Sequence, residues 1–260
     1  MNKASIRLLR GESWGQRLQE VLAASPLPGV KWMEQQTELL KTDTHSRVGL
    51  IQLHDALCYL KFYQTKSVGQ RVLFRLGYAR GLRSFDAATE LLAASVQVPT
   101  PLACLALPGG MMLLTQGVSG GVDLKALWRE NLTRSRGEEL LVAAGRALAK
   151  LHAAGFSHGD CKWSNFLWSD RGFFLVDLEG VKKAAPGARR QARDLARFTV
   201  NAEDLGVAPE SFELFLESYL AGGQGSRDTT VRAIMPPLRH LRRRHRRKYG
   251  PRGHPILRES

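Results

Sequence analysis

Two short segments in the second half of the chain carry the residue types and the spacing that phosphoryl transfer from ATP requires. Residues 158–165 read H-G-D-C-K-W-S-N, and a nearby apolar stretch ends in Asp177. Such a transfer needs one carboxylate to orient the acceptor hydroxyl, and oxygen ligands that hold Mg²⁺ against the phosphates. Asp160, with Lys162 two residues later, suits the first role, and Asn165 and Asp177 suit the second. The sequence therefore predicts Asp160 and Lys162 as catalytic residues and the other two as Mg²⁺ ligands.

The alternative for either segment is a polar turn between a helix and a strand that carries acids by chance, because short motifs recur by accident. The two segments, however, follow each other in the order and at the spacing that a phosphoryl-transfer site needs. That agreement favours the catalytic interpretation.

A phosphotransferase also needs a cation at the α- and β-phosphates and an acid that positions this cation. Lys61, on a predicted strand, and Glu90, on a predicted helix, are the candidates. The alternative is the usual fate of Lys and Glu, which is to be solvated surface charges. Because the catalytic segments are present, we favour the ion pair and predict that both residues contribute to ATP binding.

The turn in which a nucleotide-binding loop is expected, residues 41–47, contains no glycine, and Gly49 is the nearest one. Backbone amides can still face phosphates in such a turn. No Walker-type P-loop occurs elsewhere in the sequence. This turn is the main departure from the pattern of an ATP-dependent phosphotransferase.

Four further residues have supporting roles in this interpretation. We expect His158 to pack under the loop and bond backbone groups, and Cys161 to be a packing residue rather than a nucleophile. Asp194 is predicted either to cap a helix or to hold the backbone of the catalytic loop. Glu179 fits a second metal ligand and a surface acid equally well.

The pattern of apolar residues predicts an α+β fold whose first part is rich in strands and whose second part is mainly helical. Strands are predicted at residues 38–41, 47–53, 56–63, 102–107 and 111–114, and helices at 11–24, 85–94, 123–130, 138–154, 189–201 and 209–221. The glycine-rich segment 115–121 marks the predicted boundary. The predicted domains are 1–117, with a five-stranded sheet and one main helix, 118–226, helical with the catalytic loop, and a basic tail at 227–260.

Composition narrows the class of protein. A chain of 260 residues with 43% hydrophobic and 24% charged residues is ordinary for a globular protein. Three cysteines without CxxC spacing favour a reduced, cytosolic protein. A signal peptide and a membrane-spanning apolar run are both absent from the sequence, so we expect a soluble protein, at most peripheral to a membrane. The net charge of +14 is uneven, since residues 227–260 hold eleven Lys or Arg against two acids and carry +9 of it.

The chain resembles the bacterial lipopolysaccharide core kinases of the Kdo/WaaP type, which are remote relatives of protein kinases. Asp-Leu-Glu in place of Asp-Phe-Gly, followed closely by Arg-Asp-Leu-Ala, favours this family among kinases. The strand-rich first part, joined to the helical part by a glycine-rich crossover, is the layout of a bilobal protein-kinase-like fold. The resemblance spans roughly residues 37 to 220 and rests on His158-Gly159-Asp160, Asn165-Phe166-Leu167, Val176-Asp177-Leu178, Arg193-Asp194-Leu195-Ala196, Tyr59-Leu60-Lys61, and the helix of Glu90 with Pro99-Thr100-Pro101 after it.

The resemblance implies phosphorylation, dependent on ATP and Mg²⁺, of a heptose or Kdo sugar in the lipopolysaccharide inner core or a lipid-linked form of it. It also implies a place on the cytoplasmic side of the inner membrane, where the basic tail would contact anionic lipid. Two alternatives remain: a kinase for a protein or a small-molecule alcohol, and a pseudokinase scaffold. A solubilising, disordered tail is the alternative for residues 227–260. Because no motif that reads nucleic acid accompanies the basic run, we do not expect a nucleic-acid partner.

Overall fold

The computed structural model describes residues 6–25, 27, 29–42, 44, 46–65, 80–130, 132–223, 225–251 and 253–257. The chain divides into two compact units. Unit 1 comprises Met1–Leu92 and Pro99–Ser119, and unit 2 comprises Ala93–Val98 and Gly120–Ser260. The boundary predicted from the sequence, after residue 117, lies two residues before the end of unit 1 at Ser119. That these units act as two functional lobes stays a prediction.

Unit 1 is built on an antiparallel sheet of six strands in the order β1-β5-β6-β4-β3-β2. The strands are β1 Arg7–Arg10, β2 Glu38–Thr42, β3 Ser46–Leu53, β4 Ala56–Gln64, β5 Pro101–Leu107 and β6 Gly110–Gln116. The expectation of five strands was wrong because β1 was missed. This strand has four residues, Arg-Leu-Leu-Arg, which is too short to show the alternation that identifies a strand.

Three helices of unit 1 lie in the described part of the chain: α1 Glu12–Ala23, α2 Gly29–Gln36 and α3 Arg80–Ala93. The expectation of a single main helix was therefore also wrong. No helix was predicted between residues 24 and 85, yet α2 begins at Gly29 and buries Trp32 and Met33 against the sheet, at 1% and 0% exposure. Burial of two large side chains stabilises this short helix in its tertiary context.

Strand β4 places Lys61 in the middle of the sheet. Leu60 and Phe62 are buried in the core, whereas Lys61 between them is partly buried. Neighbouring side chains of a strand point to opposite faces of the sheet, which places Lys61 on the face opposite to Leu60 and Phe62. The ammonium of Lys61 lies 5.0 Å from the centre of the Tyr63 ring, two residues further on the same face.

Unit 2 is mainly helical. Its elements are β7 Val122–Asp123, α4 Leu124–Arg129, α5 Arg134–Ala153, β8 Phe156–Ser157, β9 Phe166–Ser169, β10 Gly172–Leu175, β11 Lys182–Lys183, α6 Arg189–Asp204, α7 Pro209–Leu220 and α8 Arg227–Tyr249. The strands form two small sheets of order β10-β9-β7 and β11-β8. Helix α5 packs on α7, and α6 packs on α8. In the described part of the chain, no helix is long and apolar enough to cross a membrane.

The predicted tail of residues 227–260 is not a separate segment, because most of it is helix α8. Ser226 caps this 23-residue helix by accepting a hydrogen bond from the backbone of Thr229. Ile234, Met235 and Leu238 are buried on its inner side. These apolar positions, one helical turn apart, hold the helix in unit 2. The disordered alternative was wrong for residues 227–249.

Candidate active site

Secondary structure brings the two sequence segments together. After helix α5, strand β8 pairs with β11, and the loop of residues 158–162 follows directly. A short 3₁₀ turn, Trp163–Asn165, leads into the β9–β10 hairpin. The backbone N–H of Val176 donates to the carbonyl of Asn165 over 3.0 Å. Asn165 and Asp177, twelve positions apart in the sequence, therefore lie at the open end of one hairpin.

The carboxylate of Asp160 is held between two cations. Its Oδ2 accepts a hydrogen bond from Lys162 Nζ over 2.8 Å, and its Oδ1 accepts one from Arg197 Nη2 over 2.9 Å. The amide Nδ2 of Asn165 donates to the backbone carbonyl of Asp160 over 2.8 Å. The side chain of Asp160 remains one-third exposed, at 33%. Both carboxylate oxygens are thus fixed in position while the group stays accessible from solvent.

These contacts also set the protonation state of Asp160. Partial burial raises its pKa, but the hydrogen bond and charge of Lys162, together with the charge of Arg197, outweigh that effect. The net result is a pKa below the ordinary value of an aspartate. Asp160 is therefore ionised at neutral pH.

Lys162 lies between two acids. Its Nζ is 2.8 Å from Asp160 and 4.0 Å from Oδ2 of Asp177. Asp177 itself adopts a left-handed backbone conformation with φ of 63°. That conformation is unfavourable for a residue other than glycine, and it is concentrated at functional sites, where the surrounding structure enforces it.

Asp194, near the start of α6, fixes the backbone of the loop. Its carboxylate accepts hydrogen bonds from the backbone N–H groups of His158, over 2.6 Å, and Gly159, over 2.9 Å. Asp194 is 1% exposed, and His152 Nε2 lies 3.3 Å from the same carboxylate. Of its two predicted roles, holding the catalytic loop is confirmed.

His158 and Cys161 are structural residues, as the sequence predicted. His158 is fully buried, its Nε2–H donates to the carbonyl of Val176 over 3.1 Å, and its Nδ1 accepts from the backbone of Asp160. Burial lowers the pKa of His158 and raises that of the Cys161 thiol. The imidazole is therefore neutral, and the thiol is protonated and unreactive.

Two glycines let the segments approach each other closely. Gly159 has φ of 81°, and a Cβ added there would lie 2.5 Å from the carbonyl oxygen of Gly180. A Cβ on Gly180 would in turn lie 2.9 Å from the carbonyl oxygen of His158. The loop and the Asp-x-x-Gly segment thus pack backbone against backbone, and a side chain at Gly159 would separate them.

The 3₁₀ turn is anchored on α6 through Trp163, which is fully buried. Its backbone N–H donates to Asn201 Oδ1 over 3.0 Å, and its indole Nε1–H donates to the carbonyl of Phe198 over 3.1 Å. The Trp163 and Phe198 rings are in contact, with centres 5.2 Å apart. Helix α6 therefore positions three parts of the site. Asp194 holds the backbone of the loop, Arg197 holds the carboxylate of Asp160, and Asn201 holds the 3₁₀ turn.

Arg197 was missed by the sequence analysis. It stands three residues after Asp194, and residues at this spacing share a face of a helix. If Asp194 holds the loop, which was one of its two predicted roles, the next cation on that face was the available signal. Only the structure shows that it reaches Asp160.

The six predicted site residues fall into two groups. Asp160, Lys162, Asn165 and Asp177 come together in unit 2, whereas Lys61, on β4, and Glu90, on the exposed side of α3, belong to unit 1. Residues 43 and 45 of the expected phosphate-binding turn lie outside the described residues.

The oxygen ligands present fit Mg²⁺ held together with a nucleotide. Because the NH₂ group of Asn165 donates to the loop backbone, its amide oxygen is the atom that remains for a cation, and Asp177 adds a carboxylate. Among the described residues, no group of three or more His, Cys, Asp or Glu side chains could hold a metal ion by itself. Mg²⁺ commonly takes one or two protein ligands and completes its shell with phosphate oxygens and water, so one amide oxygen and one carboxylate fit it.

Two solved structures share the fold of this chain. One is "WaaP in complex with acyl carrier protein", with a TM-score of 0.61 and 21% identity, covering 94% of this chain and 99% of that one. The other is spectinomycin phosphotransferase APH(9)-Ia in complex with ADP and spectinomycin, with a TM-score of 0.54 and 11% identity, covering 84% and 85%. At these identities the likeness concerns the fold, and it confirms the predicted α+β, protein-kinase-like class.

The family follows from the sequence comparison. The model of the lipopolysaccharide kinase (Kdo/WaaP) family matches residues 31–219, and the chain belongs to this family. The family is described as one of kinases, which agrees with the predicted enzyme class, a phosphotransferase.

Curated relatives in this family are named 3-deoxy-D-manno-octulosonic acid kinase. The one from Vibrio parahaemolyticus is 27% identical over 113 residues, which are 42% of this chain and 46% of that protein. The one from Xanthomonas campestris pv. campestris is 31% identical over 130 residues, or 46% and 49%. The chain thus spans about half the length of the curated relatives it matches.

Proposed function

We propose that this protein transfers a phosphoryl group from ATP to a hydroxyl of a sugar in the lipopolysaccharide inner core. The observation that carries the proposal is the Asp160 carboxylate, fixed by Lys162 and Arg197 beside two Mg²⁺-type oxygen ligands. Family membership and the name of the curated relatives support Kdo as the acceptor, with heptose as the second choice.

We assign each predicted site residue a role in this transfer. Asp160, ionised and held at both oxygens, accepts a hydrogen bond from the acceptor hydroxyl and aims it at the phosphoryl group. Lys162 lies between Asp160 and Asp177 and offsets their negative charges. Asn165 and Asp177 would hold Mg²⁺, which would neutralise charge on the oxygens of the phosphoryl group that ATP donates. In unit 1, Lys61 would bind the ATP phosphates and Glu90 would position Lys61.

Asp160 serves mainly to orient the hydroxyl. A carboxylate whose pKa is lowered by two cations is a weak base, so it contributes little by storing a proton. Positioning and electrostatic stabilisation dominate catalysis of phosphoryl transfer in any case, because the protein has little covalent chemistry to perform.

The acceptor can be identified by mass spectrometry. Purified protein is incubated with ATP, Mg²⁺ and dephosphorylated inner-core lipopolysaccharide, and the product gains one HPO₃ unit. Fragmentation that places this unit on Kdo supports the first choice, and placement on heptose selects the second. Asp160→Asn abolishes the gain, whereas Asp170→Asn, in the exposed turn between β9 and β10, leaves it intact. If the core stays unmodified and the phosphoryl group is found instead on a protein or a small alcohol, the proposed acceptor is wrong.

We further propose that the protein binds the inner face of the cytoplasmic membrane through helix α8. Arg244, Arg247 and Lys248 are exposed, and their i, i+3, i+4 spacing places them on one side of the helix. We call these three residues the outer basic face. Each basic side chain near an anionic lipid surface contributes about 1 kcal/mol. Arg244→Gln with Arg247→Gln should weaken sedimentation with vesicles of phosphatidylcholine and phosphatidylglycerol, and unchanged sedimentation would refute the contact.

A scaffold without phosphoryl transfer is the second candidate. The glycine-free turn at residues 41–47 favours it, because glycines normally let this backbone approach the phosphates. A thermal-shift assay decides between the two. A rise in melting temperature with Mg-ATP, reduced in Lys61→Met, supports the kinase, and no rise supports the scaffold.

A further inference from the structure

One face of helix α6 continues beyond the candidate active site. Arg197, Asn201 and Asp204 have i, i+4, i+7 spacing and therefore share that face. Arg197 contacts Asp160, Asn201 contacts the turn at Trp163, and Asp204 contacts His245 of α8 over 2.7 Å. With a rise of about 1.5 Å per residue, the seven steps from Arg197 to Asp204 span roughly 10 Å. The helix thus connects the catalytic loop to a second charged region.

This second region is a cleft of about 720 Å³, which we call the basic cleft. Its walls are the C-terminal end of α6, one side of α8 and residues 250–251 and 253–255. Among the described residues, four arginines line it, together with two acids, Glu203 and Asp204. The arginines are Arg239, Arg242, Arg243 and Arg246, whose spacing of i, i+3, i+4, i+7 places them on one side of the helix.

The two acids at the base of the cleft are engaged in building it. Glu203, 4% exposed, accepts two hydrogen bonds from Arg242 and one from the backbone N–H of Ile256 over 3.0 Å. Arg242 also donates to the carbonyl of Leu257 over 2.8 Å. These contacts hold the C-terminal segment in place, and Asp204 holds His245. The acids therefore balance groups that serve the architecture of the cleft.

Arg243 and Arg246 differ from Arg242 in this respect. Both line the cleft, both are exposed, and they are three residues apart on one helix face. Like charges at this spacing repel each other and destabilise a helix slightly. An anion bound between them would remove that repulsion and accept charge-assisted hydrogen bonds from planar guanidinium groups, which match phosphate geometry.

We propose that the basic cleft binds a phosphate group carried by the acceptor. This part of the inference rests on the proposed function, because it assigns the cleft to a phosphorylated glycan that reaches Asp160 along the common face of α6. A span of roughly 10 Å along the helix suits a glycan of a few sugar units. The anion site itself is independent of whether any phosphoryl group is transferred.

The test compares two double variants of the same helix. Arg243→Gln with Arg246→Gln removes two charges from the cleft, and Arg244→Gln with Arg247→Gln removes two from the outer basic face. The residue types and the spacing are the same in both pairs. Calorimetric titration with a sugar monophosphate and with pyrophosphate, without ATP, gives the dissociation constants. We expect the cleft pair to weaken binding by roughly tenfold or more and the outer pair to leave it nearly unchanged.

Two further arms separate the sources of the phosphate. Vesicles of phosphatidylcholine and phosphatidylglycerol report on lipid headgroups. We expect the outer pair to weaken binding to these vesicles more than the cleft pair does. With a phosphorylated core acceptor, the cleft pair should raise KM and leave kcat nearly unchanged. Absence of binding of the small phosphates to the wild-type protein, equal weakening by both pairs, or binding to vesicles alone would each overturn the proposal. If the cleft binds phosphate but no transfer occurs with any core acceptor, the proposed function fails and the anion site stands.

Discussion

Helix α6 supports two charged clusters of opposite design. Its first half holds the catalytic loop, where Asp160 is matched by Lys162 and Arg197 and the backbone is fixed by a buried acid. Its last residues support the basic cleft, where four of the described arginines accompany two acids. The first cluster is complete through its own hydrogen bonds, and the second has a surplus of positive charge. Substitutions in the loop should therefore cost stability, and charge removal in the cleft should not.

The largest effect on stability is expected at Asp194. Asp194→Ala leaves the buried backbone donor of His158 and the part-buried donor of Gly159 without their acceptor, at roughly 1–3 kcal/mol for a buried donor and less for the other. We expect the free energy of unfolding to fall by about 2–5 kcal/mol in urea titration. Asp170→Ala, in an exposed turn, is the control and should change it little. Equal effects of the two substitutions would contradict the role of Asp194.

The close approach at Gly159 gives the next largest effect. Gly159→Ala should lose about 1–3 kcal/mol from its left-handed backbone, and more from the clash with Gly180. Gly187→Ala is the matched control, because φ is 75° there and a Cβ would meet nothing within 4 Å. Thermal unfolding of both variants separates the two costs. If both lose the same stability, the contact between the two segments carries no weight.

Substitution of Arg197 should change the pH dependence of both activity and stability. Because Arg197 lowers the pKa of Asp160, Arg197→Gln raises that pKa, and the acidic limb of kcat/KM moves to higher pH. The stability that ionised Asp160 contributes is present above its unfolded pKa and is lost as the pH falls through its folded pKa. In the variant the folded pKa lies higher, so this contribution is smaller and its loss is complete at a higher pH. Arg193→Gln, exposed on the same helix, should leave both profiles in place, and an unmoved profile in Arg197→Gln would refute the coupling.

The smallest effect has the opposite sign. Arg243→Gln with Arg246→Gln relieves repulsion in the basic cleft, so stability in low salt should rise by a few tenths of a kcal/mol. Chemical denaturation in low and high salt measures this, and the gain should shrink as salt screens the charges. A clear loss of stability would show that these arginines serve the fold, as Arg242 does.

Groups of residues that are close in the sequence could be predicted from it, whereas contacts between distant residues could not. The H-G-D-x-K-x-x-N loop lies within eight residues, and its predicted members Asp160, Lys162 and Asn165 do lie in contact. The contact of Asp160 with Arg197 joins positions 37 apart in the sequence, and no motif or residue spacing predicts such a contact. Strands β2 to β6 were predicted from their patterns of apolar residues and from the turns between them. Strand β1 and helix α2 were missed because β1 is too short to alternate and α2 depends on core burial.

The basic tail shows the same limit. Its composition alone fitted a disordered segment, yet three apolar residues dispersed among the charges were enough to seat helix α8 on α6. Once seated, its arginines divide between the cleft and the outer basic face, a division that the order of residues alone did not reveal.

The most direct test of the account is the rate of a single turnover from ATP to the core acceptor in wild-type protein and in Asp160→Asn. The amide keeps the shape of the side chain but loses the charge that Lys162 and Arg197 hold in place. We predict that the rate falls by about 10²-fold or more, while Mg-ATP still raises the melting temperature of the variant. A rate within a few-fold of wild type would contradict the assignment of Asp160, and with it the candidate active site.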